Sequence, residues 1–217
     1  MIRALCIMAA LLLIAGCSGI NNVNEQPGQA TVSSSTKPSE SPRPTNEPDD
    51  IHATTAEDAA EAVIVALKLT DLAAFSAYIH PDKGILFSPY ANIDTSSAQV
   101  FQAADLPSLD ETANYMWGNY DGSGEPINLT FADYYKKFVY DQDFADAESV
   151  SVNNLIGQGN TLVNIQEIFP GSTTVEYHFS GFDPQFDGMD WESLILVLEE
   201  VDGYWYTSAI VHSQWTI

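Results

Sequence analysis

Hydrophobic positions change their spacing along this chain, from helical repeats near residue 60 to strand alternation beyond residue 172. Ala59, Val63, Ala66 and Leu67 recur at three- and four-residue intervals, and Leu72, Phe75 and Ile79 continue the pattern after Thr70-Asp71. That spacing gathers side chains on one face of a helix, so 56–79 reads as a helical hairpin. Thr54-Thr55-Ala56-Glu57 has the form of a capping box, and His80-Pro81 ends the second helix, because proline disfavours helix in the residue before it. Ile85-Leu86-Phe87 is a short strand candidate, 94–113 is ambiguous with room for one short helix, and Asn114 to Tyr120 reads as a strand closed by the turn Asp121-Gly122-Ser123-Gly124. Thr130-Phe131-Ala132-Asp133 opens a helix to about Val139, and a shorter helix is expected within 160–168.

The end of the chain reads as strand throughout. In Thr173 to Phe179, Val175, Tyr177 and Phe179 fall on one side. Leu194-Ile195-Leu196-Val197-Leu198, inside the strand Trp191 to Glu199, is apolar on both sides, as a central strand should be. Val201-Asp202-Gly203 carries the Asp-Gly signal of a tight hairpin, and Tyr204 to Ile217 pairs back as the longest strand. Strict alternation there puts Tyr206, Ser208, Ile210, His212 and Gln214 on one face, and Trp205, Thr207, Ala209, Val211, Ser213 and Trp215 on the other. These elements predict an α+β domain: a helical hairpin and a further helix packed on a curved antiparallel sheet.

Composition divides the chain. Residues 18–50 contain no Phe, Tyr or Trp but hold five of the eleven prolines, among many Ser, Thr and Asn. Such a stretch cannot bury enough apolar surface to offset its ordering entropy, so it is expected to be a disordered stand-off. All 24 aromatic residues lie beyond position 50, which places a single folded domain at 51–217. The formal net charge is −23, and from Ile51 onward 25 acidic residues face only Lys68, Lys83, Lys136 and Lys137. A surface of that sign repels nucleic acid and anionic headgroups, which excludes a phosphate-reading role and leaves solubility, cations or basic partners as its uses.

The start of the chain carries its most specific motif. Met1-Ile2-Arg3 precedes an apolar run from Ala4 to Ile14, followed by Ala15-Gly16-Cys17. Eleven helical residues rise about 16 Å, half of a hydrocarbon core of ~30 Å, so the run is too short to span a membrane. The segment resembles a bacterial lipoprotein signal peptide with its lipobox. That resemblance implies removal of residues 1–16 and diacylglyceryl attachment to the Cys17 thiol. The domain would then be held by lipid on an extracytoplasmic membrane face. Cys6 lies in the removed segment, so the folded part has no free thiol, disulfide or cysteine-ligated metal.

Two helices, a short strand, a further helix and a three-stranded antiparallel meander, carried by Ala56 to Ile79 and by Leu194 to Tyr206, resemble the NTF2-like (SnoaL-like) cone fold. The phrases His80-Pro81-Asp82-Lys83-Gly84, Phe87-Ser88-Pro89-Tyr90, Trp117 to Gly124 and Gln214-Trp215-Thr216-Ile217 resemble a family of uncharacterised bacterial surface lipoproteins. Cones of the first family house a ligand and sometimes an Asp or His acting as general acid or base. The resemblance points to His178 and His212, with Glu176 as a partner for a dyad. Tyr and Trp pair an apolar body with a polar handle, which makes Trp117, Tyr134, Tyr177 and Trp205 the other candidate pocket residues.

Asn119-x-Asp121-x-Ser123-Gly124 matches the first half of a calcium loop, but the twelfth position is Thr130 rather than a bidentate Glu. Asp183 to Asp190 and Asp141-x-Asp143 are weaker acidic clusters. The reading at this level is a lipid-anchored binding protein with no cofactor and no catalysis, taking a small ligand or a protein partner. An NTF2-like hydrolase, isomerase or dehydratase using a strand histidine, and a calcium-stabilised scaffold, are the alternatives.

Overall fold

The hairpin of helices forms where the apolar repeat places it. The computed structural model describes residues 52–216; the Cys17 lipobox, the run before it and the 18–50 stretch lie outside the described residues. Helix α1 spans Ala56–Lys68, and its N-cap is Thr55 rather than Thr54, accepting a 3.1 Å hydrogen bond from Asp58 N. Asp71 caps α2 (Leu72–Ser76) by accepting from Ala74 N at 3.0 Å. Helix α2 is one turn shorter than its apolar spacing predicts, because the chain leaves the helix to join the sheet: His80 N donates to Thr207 O.

Eight strands follow. They are β1 (Ile85–Ser88), β2 (Gln99–Phe101), β3 (Asn114–Asn119), β4 (Pro126–Thr130), β5 (Ser149–Val152), β6 (Thr173–Phe179), β7 (Glu192–Val201) and β8 (Tyr204–Gln214). Six of them form one sheet in the order β2-β1-β8-β7-β6-β5, antiparallel except that β1 runs parallel to β8. Strands β3 and β4 form a separate hairpin. Helix α3 (Phe131–Phe138) starts directly after β4, capped by Thr130 as its sequence predicts, and α4 is a single turn at Ile165–Ile168. No helix among the described residues is long and apolar enough to cross a membrane.

Both faces of β7 are buried, which explains its unbroken apolar run. Leu194, Leu196 and Leu198 pack with Val63, Leu67 and Phe75 of the helices, while Ile195 and Val197 meet Ile165 and Phe169 on the opposite face. The helix side of the sheet is packed with these side chains.

The alternation expected for β8 breaks at one point. Val197 pairs with Ala209 but Leu198 pairs with Thr207, leaving Ser208 as an extra residue in a β-bulge. The bulge reverses the faces beyond it. Trp205 and Thr207 therefore share the helix side with Ile210 and His212, rather than the opposite side as strict alternation would have it.

Candidate functional site

Three stretches converge on an open cleft of about 520 Å³. One wall is the exit of β1, Ser88 to Asp94. The second is the end of β3 with its turn, Trp117 to Asp121. The third is Asn160 to Leu162, closed by Thr216. Hydrogen bonds tie these walls together. Asp121 N donates to Tyr90 Oη at 3.2 Å, Asn92 Nδ2 to Leu162 O at 3.1 Å, and Thr216 Oγ1 to Asn160 Oδ1 at 3.0 Å. Such cross-links hold a site in shape before a ligand arrives.

Trp117 lines the cleft, with its indole N–H donating to Leu129 O at 3.0 Å and its ring stacked on Tyr134 at 3.8 Å. The half-buried Tyr90 and Tyr120 line it as well. The cleft also carries two carboxylates. Hydrogen bonds from the Ser96 and Ser97 hydroxyls hold Asp94 below its ordinary pKa, so it stays ionised. Asp121 is exposed at the rim. None of the described residues that line the cleft is basic.

The two sequence-predicted histidines fall on opposite faces of the sheet. On β6, Thr174, Glu176 and His178 point away from the helices, paired with Val197, Ile195 and Ser193. His178 Nδ1 lies 2.8 Å from Ser193 Oγ and 4.0 Å from Glu176 Oε1. Serine and carboxylate thus address the same ring nitrogen, whereas a proton relay needs one at each end of the ring. Glu176 is instead occupied by backbone: its oxygens accept from Ile156 N and from Gly157 N, anchoring the loop before α4. His178, Glu176 and Ser193 are all buried.

Burial lowers the His178 pKa, opposed by the Glu176 and Glu148 carboxylates, and burial likewise lowers that of His80. A histidine whose folded value lies below its unfolded value of about 6.5 contributes its full stability above that pH. As pH falls below it, the unfolded chain takes up protons first and stability drops. The unfolding midpoint should therefore be lower at pH 5.5 than at pH 7.5, and His178→Gln should shrink the difference. Glu192, raised by burial and the neighbouring Asp141, pulls the other way, so the comparison between proteins is the deciding one. An unchanged difference in His178→Gln would contradict this account of His178.

His212 lies on the helix side of β8, almost fully enclosed, with Phe138 edge-on at 5.6 Å. Its Nε2 is 3.0 Å from Asp141 Oδ2, a residue of the loop after α3. Tyr134 links the two regions through contacts with Trp117 and Phe138. Tyr177 is a buried core residue on the helix side of β6, and Trp205 lies at the opposite end of β8, its backbone N–H donating to Ala53 O at 2.9 Å. Of the six pocket candidates, only Trp117 lines the cleft.

In the acidic loops, carboxylates accept from nearby backbone amides. Asp121 Oδ1 accepts from Gly122 N, and Asp183 Oδ1 from Gln185 N. Asp190 Oδ2 accepts from Phe182 N and Asp183 N. Tyr90, Tyr120 and Asp94 were not singled out by pattern, because each sits in irregular chain whose folding partner is distant in sequence. No family model, curated protein or solved structure matches this chain.

Proposed function

We propose that this chain is a lipid-anchored extracytoplasmic protein whose acidic α+β domain, an NTF2-like cone, binds a small ligand in the cleft between Tyr90, Trp117 and Asp121. The single observation behind it is the cleft itself: pre-tied walls, aromatic rings and two carboxylates without a basic neighbour. That chemistry suits a polar molecule carrying a cationic nitrogen, which gains from the carboxylates and from the ring faces. Three of the four phrases that resemble surface lipoproteins, Phe87 to Tyr90, Trp117 to Gly124 and Gln214 to Ile217, contribute residues to this cleft. The order of α1, α2, β1, α3 and the β6-β7-β8 meander supports the cone reading.

Isothermal titration of the full chain with a panel of small mono- and diammonium compounds tests the proposal. At least one should bind in the micromolar to millimolar range. Asp94→Asn or Asp121→Asn should weaken it by roughly fivefold to a hundredfold, the loss of one charge-assisted contact of about 1–3 kcal/mol. Added salt should weaken it further. A panel without a binder, or binding indifferent to both substitutions, would remove the cleft as the functional site.

The second reading, an NTF2-like enzyme, has the aligned His212–Asp141 pair in its favour. Against it, His212 is enclosed by core and lines no part of the cleft.

A further inference from the structure

One group of ionisable side chains is used neither by the core nor by the cleft. His212 of β8 and Glu192 of β7 lie diagonally across the strand pair, since His212 pairs with Leu194 and Glu192 with Gln214. Alternation along β7 puts Glu192 on the same face as Leu194, and so on the face of His212. Asp141 reaches the same point from the loop after α3. One donor atom from each of the three residues lies within 4.8 Å of the other two. His212 is almost fully buried, while Asp141 and Glu192 are partly exposed.

Its hydrogen bonding is incomplete. Asp141 Oδ1 and Glu192 Oε2 are each buried and have no partner among the described residues, and neither has His212 Nδ1, the ring nitrogen that does not bond Asp141. Buried polar atoms are nearly always satisfied, and those that are not call for an ion, a water or a functional reason. Lys68 is paired with Asp143, and Lys137 lies over the rings of Tyr120 and Phe138. His212 Nε2 lies 3.0 Å from Asp141 Oδ2 and Gln142 hydrogen-bonds Glu192, which leaves one buried oxygen of each carboxylate unpaired.

The geometry points to a binding site for a divalent transition-metal ion, with zinc as the best match, held by Asp141, Glu192 and His212. One imidazole nitrogen and two carboxylate oxygens form a borderline ligand set that suits Zn²⁺ and disfavours Mg²⁺ and Ca²⁺, which prefer oxygen alone. Three protein ligands leave a fourth position for water. Ligand atoms around a tetrahedral zinc stand about 3.4 Å apart, so the carboxylates need move only by roughly an ångström to close on the ion. The strongly negative domain raises the local concentration of any cation, which favours capture. This site is separate from the cleft and does not depend on what the cleft binds.

The full chain, stripped with a chelator, tests the site by calorimetry with ZnCl₂. One ion per chain should bind with a dissociation constant below about 10 µM, and saturating zinc should raise the unfolding midpoint by preferential binding to the folded state. Co²⁺ should give visible absorption bands of a low-coordinate nitrogen–oxygen site, and millimolar Ca²⁺ should not displace zinc. Asp141→Asn and Glu192→Gln, nearly isosteric and partly exposed, should each weaken binding at least tenfold while circular dichroism stays unchanged. His212→Gln should abolish it, but its buried position makes the two carboxylate variants the deciding ones. No zinc binding below about 100 µM, or wild-type affinity in both carboxylate variants, would overturn the site.

Discussion

Leu196→Ala should destabilise the domain by about 2–5 kcal/mol, the range for truncating a buried leucine when the surroundings cannot collapse into the cavity. Leu196 is 0% exposed on β7, an interior strand of the sheet, paired with Val175 on one side and Ile210 on the other. Its side chain points toward the helices with Leu194 and Leu198, in the same cluster as Val63, Leu67 and Phe75. Backbone pairing on both edges prevents β7 from moving in to fill the void. Domains of this size hold only about 5–15 kcal/mol in total, so the loss takes a large part of it. Each kcal/mol moves the midpoint by about 2–4 °C, which predicts a fall of roughly 4–20 °C. Urea unfolding measures the free energy directly. Leu196→Met, which nearly conserves volume, should cost less than about 1.5 kcal/mol. A loss under about 1 kcal/mol for the alanine variant would show that this strand is not enclosed.

What was legible in the sequence is what local chemistry decides. The caps of α1, α2 and α3 are Thr or Asp side chains bonding amides three residues on, and they sit at or within one residue of their expected places. The central strand announces itself because both its faces are buried, which leaves no room for a polar alternation. The short strands β2 and β5, three and four residues long, are mostly polar or exposed, and they exist because a neighbouring strand offers them free hydrogen-bonding groups. Their pattern contains no signal of that neighbour. The parallel pairing of β1 with β8 joins residues more than 120 positions apart, and nothing in Ile85 to Ser88 names its partner.

The bulge shows how one residue separates reading from structure. The Asp202-Gly203 turn sets Val201 opposite Tyr204, and uninterrupted pairing from there would place His212 opposite Ser193, facing away from the helices. Ser208 inserts one residue, His212 moves opposite Leu194, and its ring turns toward Phe138, Asp141 and Glu192. The His212 group is therefore a product of the bulge, and alternation alone misplaces it. The cleft escaped for a different reason. Its walls are mostly loops and strand ends, and their meeting depends on the β3–β4 hairpin lying beside the exit of β1, a tertiary fact with no local signature.

Cys17→Ser should move the protein from the membrane to the soluble fraction. The expectation rests on Ala15-Gly16-Cys17, where the resemblance to a lipobox makes the thiol the sole acceptor of the diacylglyceryl group. Each buried methylene contributes about 0.8 kcal/mol, so two acyl chains anchor stably and their loss removes the anchor outright. The described residues offer little to replace it. Among the described residues no helix can cross a membrane, and a domain with 25 acidic side chains against four lysines is repelled by anionic headgroups. The apolar run Ala4 to Ile14, if left uncleaved, gives at most a weak hold, being about half the length of a span. Fractionation of cells carrying each form reads the location, and mass spectrometry of the peptide beginning at residue 17 reads the modification. A Cys17→Ser protein that stays in the membrane pellet, together with an unmodified Cys17 in the parent chain, would sink the lipid anchor and leave the cleft and the His212 group to be judged on their own.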